Sequence, residues 1–138
     1  METKETGYQI PSYPMQTKRY CQMLDLKNDP QLIAEYKKRH SPEYYWKEIG
    51  EGIRAVGILN MEIYLLDNHL FMIVETPLDF EWKTAFQKLA TLPRQEEWER
   101  YMSVFQDADA DASSDEKWQL MELSLIHISE PTRRVVIS

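Results

Sequence analysis

The stretch ILNMEIYLLDNHLFMIVET, residues 58–76, decides the fold. Two apolar runs flank the dipeptide Asp67-Asn68, a pair typical of tight turns, so the stretch predicts a β-hairpin. The second run, HLFMIVE, is apolar at consecutive positions and not only at alternate ones. A strand with this pattern has both of its faces covered, so the sheet needs a partner layer on each side.

Upstream of the hairpin, the sequence predicts one strand and two helices. Residues 18–26 alternate between polar and apolar and indicate a first strand. Asp29, followed by a proline, is typical of a helix start, and the helix should run over residues 30–39. Ser41, also followed by a proline, gives a second start signal and predicts a helix over residues 42–56.

Downstream of the hairpin, the pattern of a helix pair repeats. Asp79 is expected to cap a helix, and Pro93 is expected to end it. Aromatic and apolar residues then recur at helical spacing over residues 98–105. Residues 107–116 read as a polar loop, and residues 117–122 as a last strand.

The predicted order is β-αα-β-β-αα-β, the plan of an α+β ferredoxin-like sandwich. In this plan the helices form one layer and cover one face of the sheet. The other face also has apolar residues, and a second copy of the chain is the simplest partner to bury it. The sequence therefore predicts a homodimer in which two sheets face each other.

Composition excludes several classes of function. The 138 residues carry 23 acidic and 16 basic side chains, a net charge of −7, which argues against nucleic acid or an anionic membrane as a partner. No run approaches the ~18 apolar residues of a membrane helix, and no signal peptide is recognisable, so a cytoplasmic protein is expected. Cys21 is the single cysteine, and the acidic loop lacks the glycine and glutamate of a calcium site. No metal site is predicted.

The two ends of the chain are set apart from the domain. Residues 1–17 contain two prolines and no periodicity, and are interpreted as a flexible arm. Residues 123–138 begin with LSLIHISEPTR, which is the one-frame translation of a transposon-based sequencing adapter. We interpret this tail as non-native and exclude it from functional reasoning. The domain is then expected to span residues 18–122.

Several polar and aromatic residues are candidates for a site. Tyr36 and His40 are four residues apart and share one face of a helix, although a histidine after three basic residues is also typical of a solvated surface. Glu62 and Glu75 interrupt apolar strands, where a carboxylate is either exposed at an edge, paired or functional. Trp98 suits the core or a sugar-binding surface.

The segments EYKKRHSPE, NMEIYLLDNHLFMIVE and LPRQEEWERYM resemble, in that order, the L-rhamnose mutarotases, a family of small sugar-anomer isomerases. With the first strand, the resemblance covers residues 18–122. It implies a dimeric ferredoxin-like α/β barrel that uses no cofactor, with a monosaccharide as the substrate. The sugar would be a 6-deoxy-hexose, L-rhamnose, with L-fucose as the alternative because a related branch is assigned to that sugar.

The resemblance also implies roles for individual residues. The proton-donating histidine of the family corresponds to His40, and its sugar-contacting tyrosine to Tyr36. Another sugar-contacting tyrosine of the family falls at Met61, and a tryptophan pair falls at Trp98 and Glu99. The chain therefore keeps part of the expected sugar site and departs from it at two positions.

Mutarotation needs a group that protonates the ring oxygen and a base that accepts the anomeric proton. An imidazole with an ordinary pKa of ~6.5 suits the first task at neutral pH. For the base, Tyr36, a water molecule and Glu62 stay open. Two other classes stay open as well: a cofactor-free monooxygenase, since this fold hosts several chemistries, and a non-catalytic small-molecule-binding dimer.

Overall fold

The structure is a computed structural model and describes residues 3–108, 112 and 114–124. Its elements follow the predicted order, with one additional short helix before the last strand. The bounds are β1 Thr17–Asp25, α1 Pro30–Arg39, α2 Lys47–Ala55, β2 Asn60–Leu66, β3 His69–Pro77, α3 Trp82–Leu89, α4 Gln95–Met102, α5 Ser114–Lys117 and β4 Gln119–Leu120. Most of the predicted tail, residues 125–138, lies outside the described residues.

The four strands form one antiparallel sheet in the order β2-β3-β1-β4. The hairpin is confirmed: Leu66 pairs with His69 across the turn, and Asp67 adopts a positive φ of 55°. Aspartate tolerates this left-handed conformation better than most residues, which explains why the chain reverses there. The α+β class predicted from the sequence is confirmed.

The two faces of the sheet differ in what covers them. Because side chains alternate along a strand, the register assigns Leu24, Met72 and Val74 to one face, here called the inner face. These residues are buried in a core with side chains from α1, α2 and α4. The opposite, outer face carries Phe71 and Ile73, which are only half-buried.

Part of the N-terminal arm lies against the sheet. The Tyr8 ring meets the ring of Tyr64, an outer-face residue, with 5.9 Å between ring centroids. The Tyr13 hydroxyl donates a hydrogen bond to the carbonyl of Leu59 at 3.2 Å. Each contact joins residues that are at least 46 positions apart in the sequence, and together they link the arm to the hairpin.

The first helix begins and ends where the sequence predicts. The Asp29 carboxylate accepts hydrogen bonds from the amides of Gln31 and Leu32 at 2.9 and 3.4 Å, which satisfies two amides of the first turn. His40 is the last, capping residue, and its own amide bonds back to carbonyls of the final turn. The cap therefore fixes His40 at the end of α1.

The second helix corrects the prediction, because it begins at Lys47 and not at Pro42. The amides of Tyr44 and Tyr45 both donate to the Ser41 carbonyl at 3.0 Å, which closes a turn. The Ser41 hydroxyl donates to the carbonyl of Lys38 at 2.6 Å, so it closes α1 and does not cap α2. The backbone becomes extended at Trp46, and the helix starts only after it.

The C-terminal half shows further differences. Glu81, and not Asp79, is the residue that precedes α3, since the Phe80 amide bonds to the Pro77 carbonyl in a turn. α4 ends at Met102, three residues before the predicted end. α5 falls partly inside the predicted polar loop, of which residues 109–111 and 113 lie outside the described residues, and β4 is only two residues long.

No helix in the described part of the chain is long and apolar enough to cross a membrane.

Candidate active site

A cavity of ≈ 70 Å³ lies between the inner face of the sheet and the helices; we call it the inner cavity. It adjoins a second, more open cavity of ≈ 400 Å³, the outer cleft, and both are lined by His40, Tyr45 and Met61. Arg54 and Asn60 line the outer cleft alone. The arrangement is a narrow polar and aromatic pocket with a wider cleft beside it, suited to a small neutral molecule.

His40 lies within this pocket and is not a solvated surface residue. Its Nδ1 is 3.0 Å from the backbone carbonyl of Tyr36, and a carbonyl can only accept, so Nδ1 carries the proton. Nε2 is then the nitrogen that gains or loses a proton. Burial lowers the pKa of His40 below its ordinary 6.5, and the hydrogen bond to the carbonyl of Tyr36 offsets part of that effect. A lowered pKa makes the imidazolium a stronger acid.

The phenol of Tyr36 packs on the imidazole of His40, with ring centroids 4.1 Å apart. Tyr36 is only 4% exposed, so burial is the largest cause that raises its pKa far above the ordinary value; the nearby carboxylate of Glu99 and the phenol of Tyr45 raise it further. The phenol therefore stays protonated at any physiological pH. It can donate a hydrogen bond but cannot act as a phenolate base.

Aromatic rings line the pocket beside this pair. Trp98 of α4 is buried and meets His40, Tyr45 and Trp46 at ring distances of 5.4, 5.3 and 5.1 Å. Burial raises the pKa of Tyr45 to about 12, against a partial lowering by Arg54. Tyr45 was not among the predicted site residues, although its aromatic neighbours in sequence could have indicated it.

The two positions that depart from the family pattern, Met61 and Glu99, also line the inner cavity. Met61 is in the middle of the sheet, paired with Val74, and Glu99 is on α4. The buried side chain of Gln95, one turn earlier on α4, donates a hydrogen bond to a carboxylate oxygen of Glu99 at 2.9 Å. The structure thus brings five of the six predicted site residues together at the inner cavity, and Glu62 is the exception.

Glu62 does not reach the cavity. It follows Met61 in β2 and therefore points to the outer face, where its carboxylate accepts hydrogen bonds from Asn60 and from the Tyr64 hydroxyl at 3.0 and 2.9 Å. Glu75 is also on the outer face and accepts a hydrogen bond from the Thr17 hydroxyl at 2.7 Å. Both carboxylates are hydrogen-bonded on the face away from His40, so the structure corrects the expectation that Glu62 is a base in this site.

Three buried glutamines were not predicted and line the inner cavity: Gln22, Gln95 and Gln106. The Gln22 amide donates to the carbonyl of Trp118 at 3.4 Å. The carbonyl oxygen of the Gln106 side chain is buried and makes no hydrogen bond to any described residue. A buried acceptor of this kind is costly unless a ligand or solvent donates to it.

Among the described residues, no cluster of three or more histidine, cysteine, aspartate or glutamate side chains could hold a metal ion. The polar groups of the inner cavity are an imidazole, two phenols, one carboxylate, three amides and two indoles. An imidazole and a carboxylate can exchange protons, and phenols, indoles and amides can form hydrogen bonds with hydroxyl groups.

Comparison with known proteins identifies a family whose chemistry these groups suit. The model of the L-rhamnose mutarotase family matches residues 19–124. An L-fucose mutarotase of Xanthomonas campestris is 32% identical over 105 residues, which cover 76% of this chain and 84% of the relative. A UPF0734 protein of Dictyostelium discoideum is 44% identical over 110 residues, or 77% of this chain and 86% of the relative.

A solved structure shares the fold. The crystal structure of an L-rhamnose mutarotase from Formosa agariphila superposes with a TM-score of 0.59 over 80% of this chain and 99% of that one, at 17% sequence identity. Fold, pocket and relatives define the class of protein as a sugar mutarotase, a carbohydrate isomerase. Within that class, the chain belongs to the L-rhamnose mutarotase family.

Proposed function

We propose that the protein interconverts the α and β anomers of a 6-deoxy-hexose, L-rhamnose or L-fucose, without a cofactor. The observation that carries this proposal is the enclosed contact of His40, Tyr36 and Trp98 at the inner cavity. It combines a proton donor and a hydroxyl donor, which suit the oxygens of a sugar, with an aromatic surface that suits the apolar face of its ring. The family match supports L-rhamnose, and the relative named for L-fucose supports the alternative.

His40 is proposed as the acid. The imidazolium would donate the Nε2 proton to the ring oxygen as the bond between that oxygen and the anomeric carbon breaks. The hydrogen bond from Nδ1 to the Tyr36 carbonyl supports this role, because it fixes the orientation of the ring and the position of the transferable proton.

Tyr36, Trp98, Met61 and Glu99 are proposed to bind the sugar. The neutral phenol of Tyr36 donates to a sugar oxygen, and Trp98 packs against an apolar face of the ring. Gln106 supports a polyol ligand as well, since a sugar hydroxyl would supply the donor that its buried carbonyl oxygen lacks among the described residues.

We also propose that the protein works as a homodimer, with two sheets facing each other in a dimeric α/β barrel. The support is the half-buried outer face with Phe71 and Ile73, which a second copy of the chain would cover. The cytoplasm is the proposed compartment, where Cys21, a free thiol, stays reduced.

Saturation-transfer NMR of anomer exchange tests the proposal, with L-rhamnose, L-fucose and D-glucose offered to the same enzyme preparation. We expect catalysed exchange of at least one 6-deoxy sugar and little or none of D-glucose. Sugar binding without any change in exchange rate would indicate a binding protein and reject the proposal. Oxygen uptake with an aromatic substrate, and no exchange of any sugar, would indicate a monooxygenase.

A further inference from the structure

We infer that Glu99 is the general base of the reaction and that Gln95 is its positioning residue. This inference rests on the proposed mutarotase function and names the group that takes the anomeric proton. Among the described residues that line the inner cavity, Glu99 is the one with a carboxylate. The residue that the family resemblance places at this position is a tryptophan, which has no basic group, so the inference concerns this chain in particular.

The structure argues against the two other side chains that were candidates for the base, Glu62 and Tyr36. The carboxylate of Glu62 is on the outer face of the sheet and is held there by two hydrogen bonds. The phenol of Tyr36 is buried beside a carboxylate and stays protonated. A phenol that cannot ionise serves as a donor, and this leaves the cavity with a carboxylate for the complementary task.

The side chain of Gln95 holds the carboxylate of Glu99 in place. Gln95 is only 6% exposed, and its amide donates to a carboxylate oxygen of Glu99 over one helical turn. A hydrogen bond donated to a carboxylate fixes its side-chain rotamer. The carboxylate-bearing Glu99 lines the same cavity as Tyr36 and His40. Base, phenol and imidazole are therefore neighbours around one cavity.

The proton transfers balance with these two groups. In ring opening, Glu99 takes the proton of the anomeric hydroxyl, the carbonyl of the open-chain aldehyde forms, and the bond from the anomeric carbon to the ring oxygen breaks. The ring oxygen receives its proton from the His40 imidazolium. After rotation about the bond between the first two carbons, His40 takes that proton back as the ring oxygen attacks the other face. The carboxylic acid of Glu99 then returns a proton to the carbonyl oxygen, which restores the starting enzyme.

The test compares Glu99→Gln with Glu96→Gln, a control on the same helix whose side chain is 85% exposed. We expect Glu99→Gln to lower the anomer exchange rate at saturating sugar by about 10²- to 10⁴-fold, the usual contribution of a general base. Sugar affinity should change much less, because glutamine keeps the size and one acceptor oxygen. Glu96→Gln should exchange anomers at the wild-type rate.

A second variant separates a chemical role from a structural one. Glu99→Ala leaves space for a small carboxylate, so added formate should restore part of the exchange rate in a concentration-dependent way. Added chloride at the same ionic strength should not. A structural role would give a slow enzyme that formate does not rescue.

The inference is overturned if Glu99→Gln exchanges anomers as fast as Glu96→Gln, or if the rate lost in Glu99→Ala does not respond to formate. Failure of the proposed function looks different, since the wild-type protein itself would then show no exchange. Circular dichroism of each variant confirms that the compared proteins are folded.

Discussion

Replacing His40 tests its proposed role as the acid. We expect His40→Asn to lower the enzymatic anomer exchange rate by about 10²- to 10⁴-fold, because it removes the proposed acid and leaves the proposed sugar-binding groups in place. The assay is saturation-transfer NMR with the 6-deoxy sugar that the wild type accepts, after subtraction of the uncatalysed rate in the same buffer. Asn keeps a donor that can still bond to the Tyr36 carbonyl, so the loss is not explained by an orphaned acceptor.

The cost in stability follows from the contacts of the imidazole. His40 makes one hydrogen bond and packs against Tyr36 and Trp98. A hydrogen bond contributes about 1 kcal/mol and an aromatic pair about 0.5–1.5 kcal/mol, so His40→Ala should destabilise the fold by roughly 2–4 kcal/mol. His40→Asn should cost less. The imidazole is packed into an aromatic cluster, and the sequence alone, which places it at a charged helix end, underestimates this cost.

The pH dependence of the exchange rate tests whether His40 acts as an acid. Burial holds the pKa of His40 below 6.5, so the imidazolium form, and with it kcat/KM, should fall as the pH rises through that lowered pKa. Folding favours the neutral His40 ring. Between the lowered pKa of the folded state and the ordinary pKa of the unfolded state, the unfolded state therefore binds more protons. Stability should therefore decrease as the pH falls below ~6.5, and His40→Asn should lose this part of the acid sensitivity.

Two results would refute the assignment. One is His40→Asn with the wild-type exchange rate, which would make His40 a packed residue without a chemical role. The other is a kcat/KM limb of unchanged midpoint in the variant, which would assign the titration to another group. Urea unfolding at neutral pH provides the control that the variant is folded during the assay.

Three further outcomes follow from the same contacts. Tyr36→Phe keeps the ring that packs on His40 and removes only the hydroxyl, so Tm should stay close to wild type. Sugar affinity or the exchange rate should drop by roughly tenfold, because one hydrogen bond to the sugar is lost, and an unchanged rate and affinity would contradict this role. Ile73→Lys places a charge on the outer face, so sedimentation at micromolar concentration should show a dimer for the wild type and a monomer for the variant, and a wild-type monomer would reject the dimer. Deletion of residues 123–138 should leave exchange unchanged or improved, and its loss in a folded 1–122 protein would show that the tail is not foreign.

The fold could be predicted from local signals where those signals agree with packing. Asp29 before a proline marks α1 to the residue, because the carboxylate cap acts within one turn of the chain. The similar signal at Ser41 is misleading. There the aromatic side chain of Tyr45 packs against Trp98, a residue more than 50 positions away, and the backbone forms a turn in place of a first helical turn. Sequence windows do not contain such a distant contact.

The candidate site also has a part that local sequence signals predict and a part that they do not predict. The spacing of Tyr36 and His40 is local, and their adjacency follows from helix geometry. Met61 and Glu62 are consecutive in a strand, so no register could direct both to one cavity, and this exclusion was available from the sequence. That Glu99 and Tyr36 line the same cavity depends on how the helices pack together, and the positions of the three cavity glutamines depend on the closed core. Only the folded chain shows them.

The two departures from the family pattern, Met61 and Glu99, line the same cavity. Met61 and Glu99 stand where the resemblance expects a tyrosine and a tryptophan, so the pocket has less aromatic surface and one more charge. Aromatic packing depends on the apolar face of a sugar, whereas a carboxylate accepts hydrogen bonds only from hydroxyls in the correct orientation. L-rhamnose and L-fucose share the methyl group and differ in the configuration of two hydroxyls. A site that relies on hydrogen bonds discriminates such isomers more strongly than one that relies on packing, because a misplaced hydroxyl leaves a buried polar group unpaired. The proposed acid and the phenol are unchanged, so Met61 affects the choice of sugar, whereas Glu99 affects that choice and, as the proposed base, the proton transfer as well.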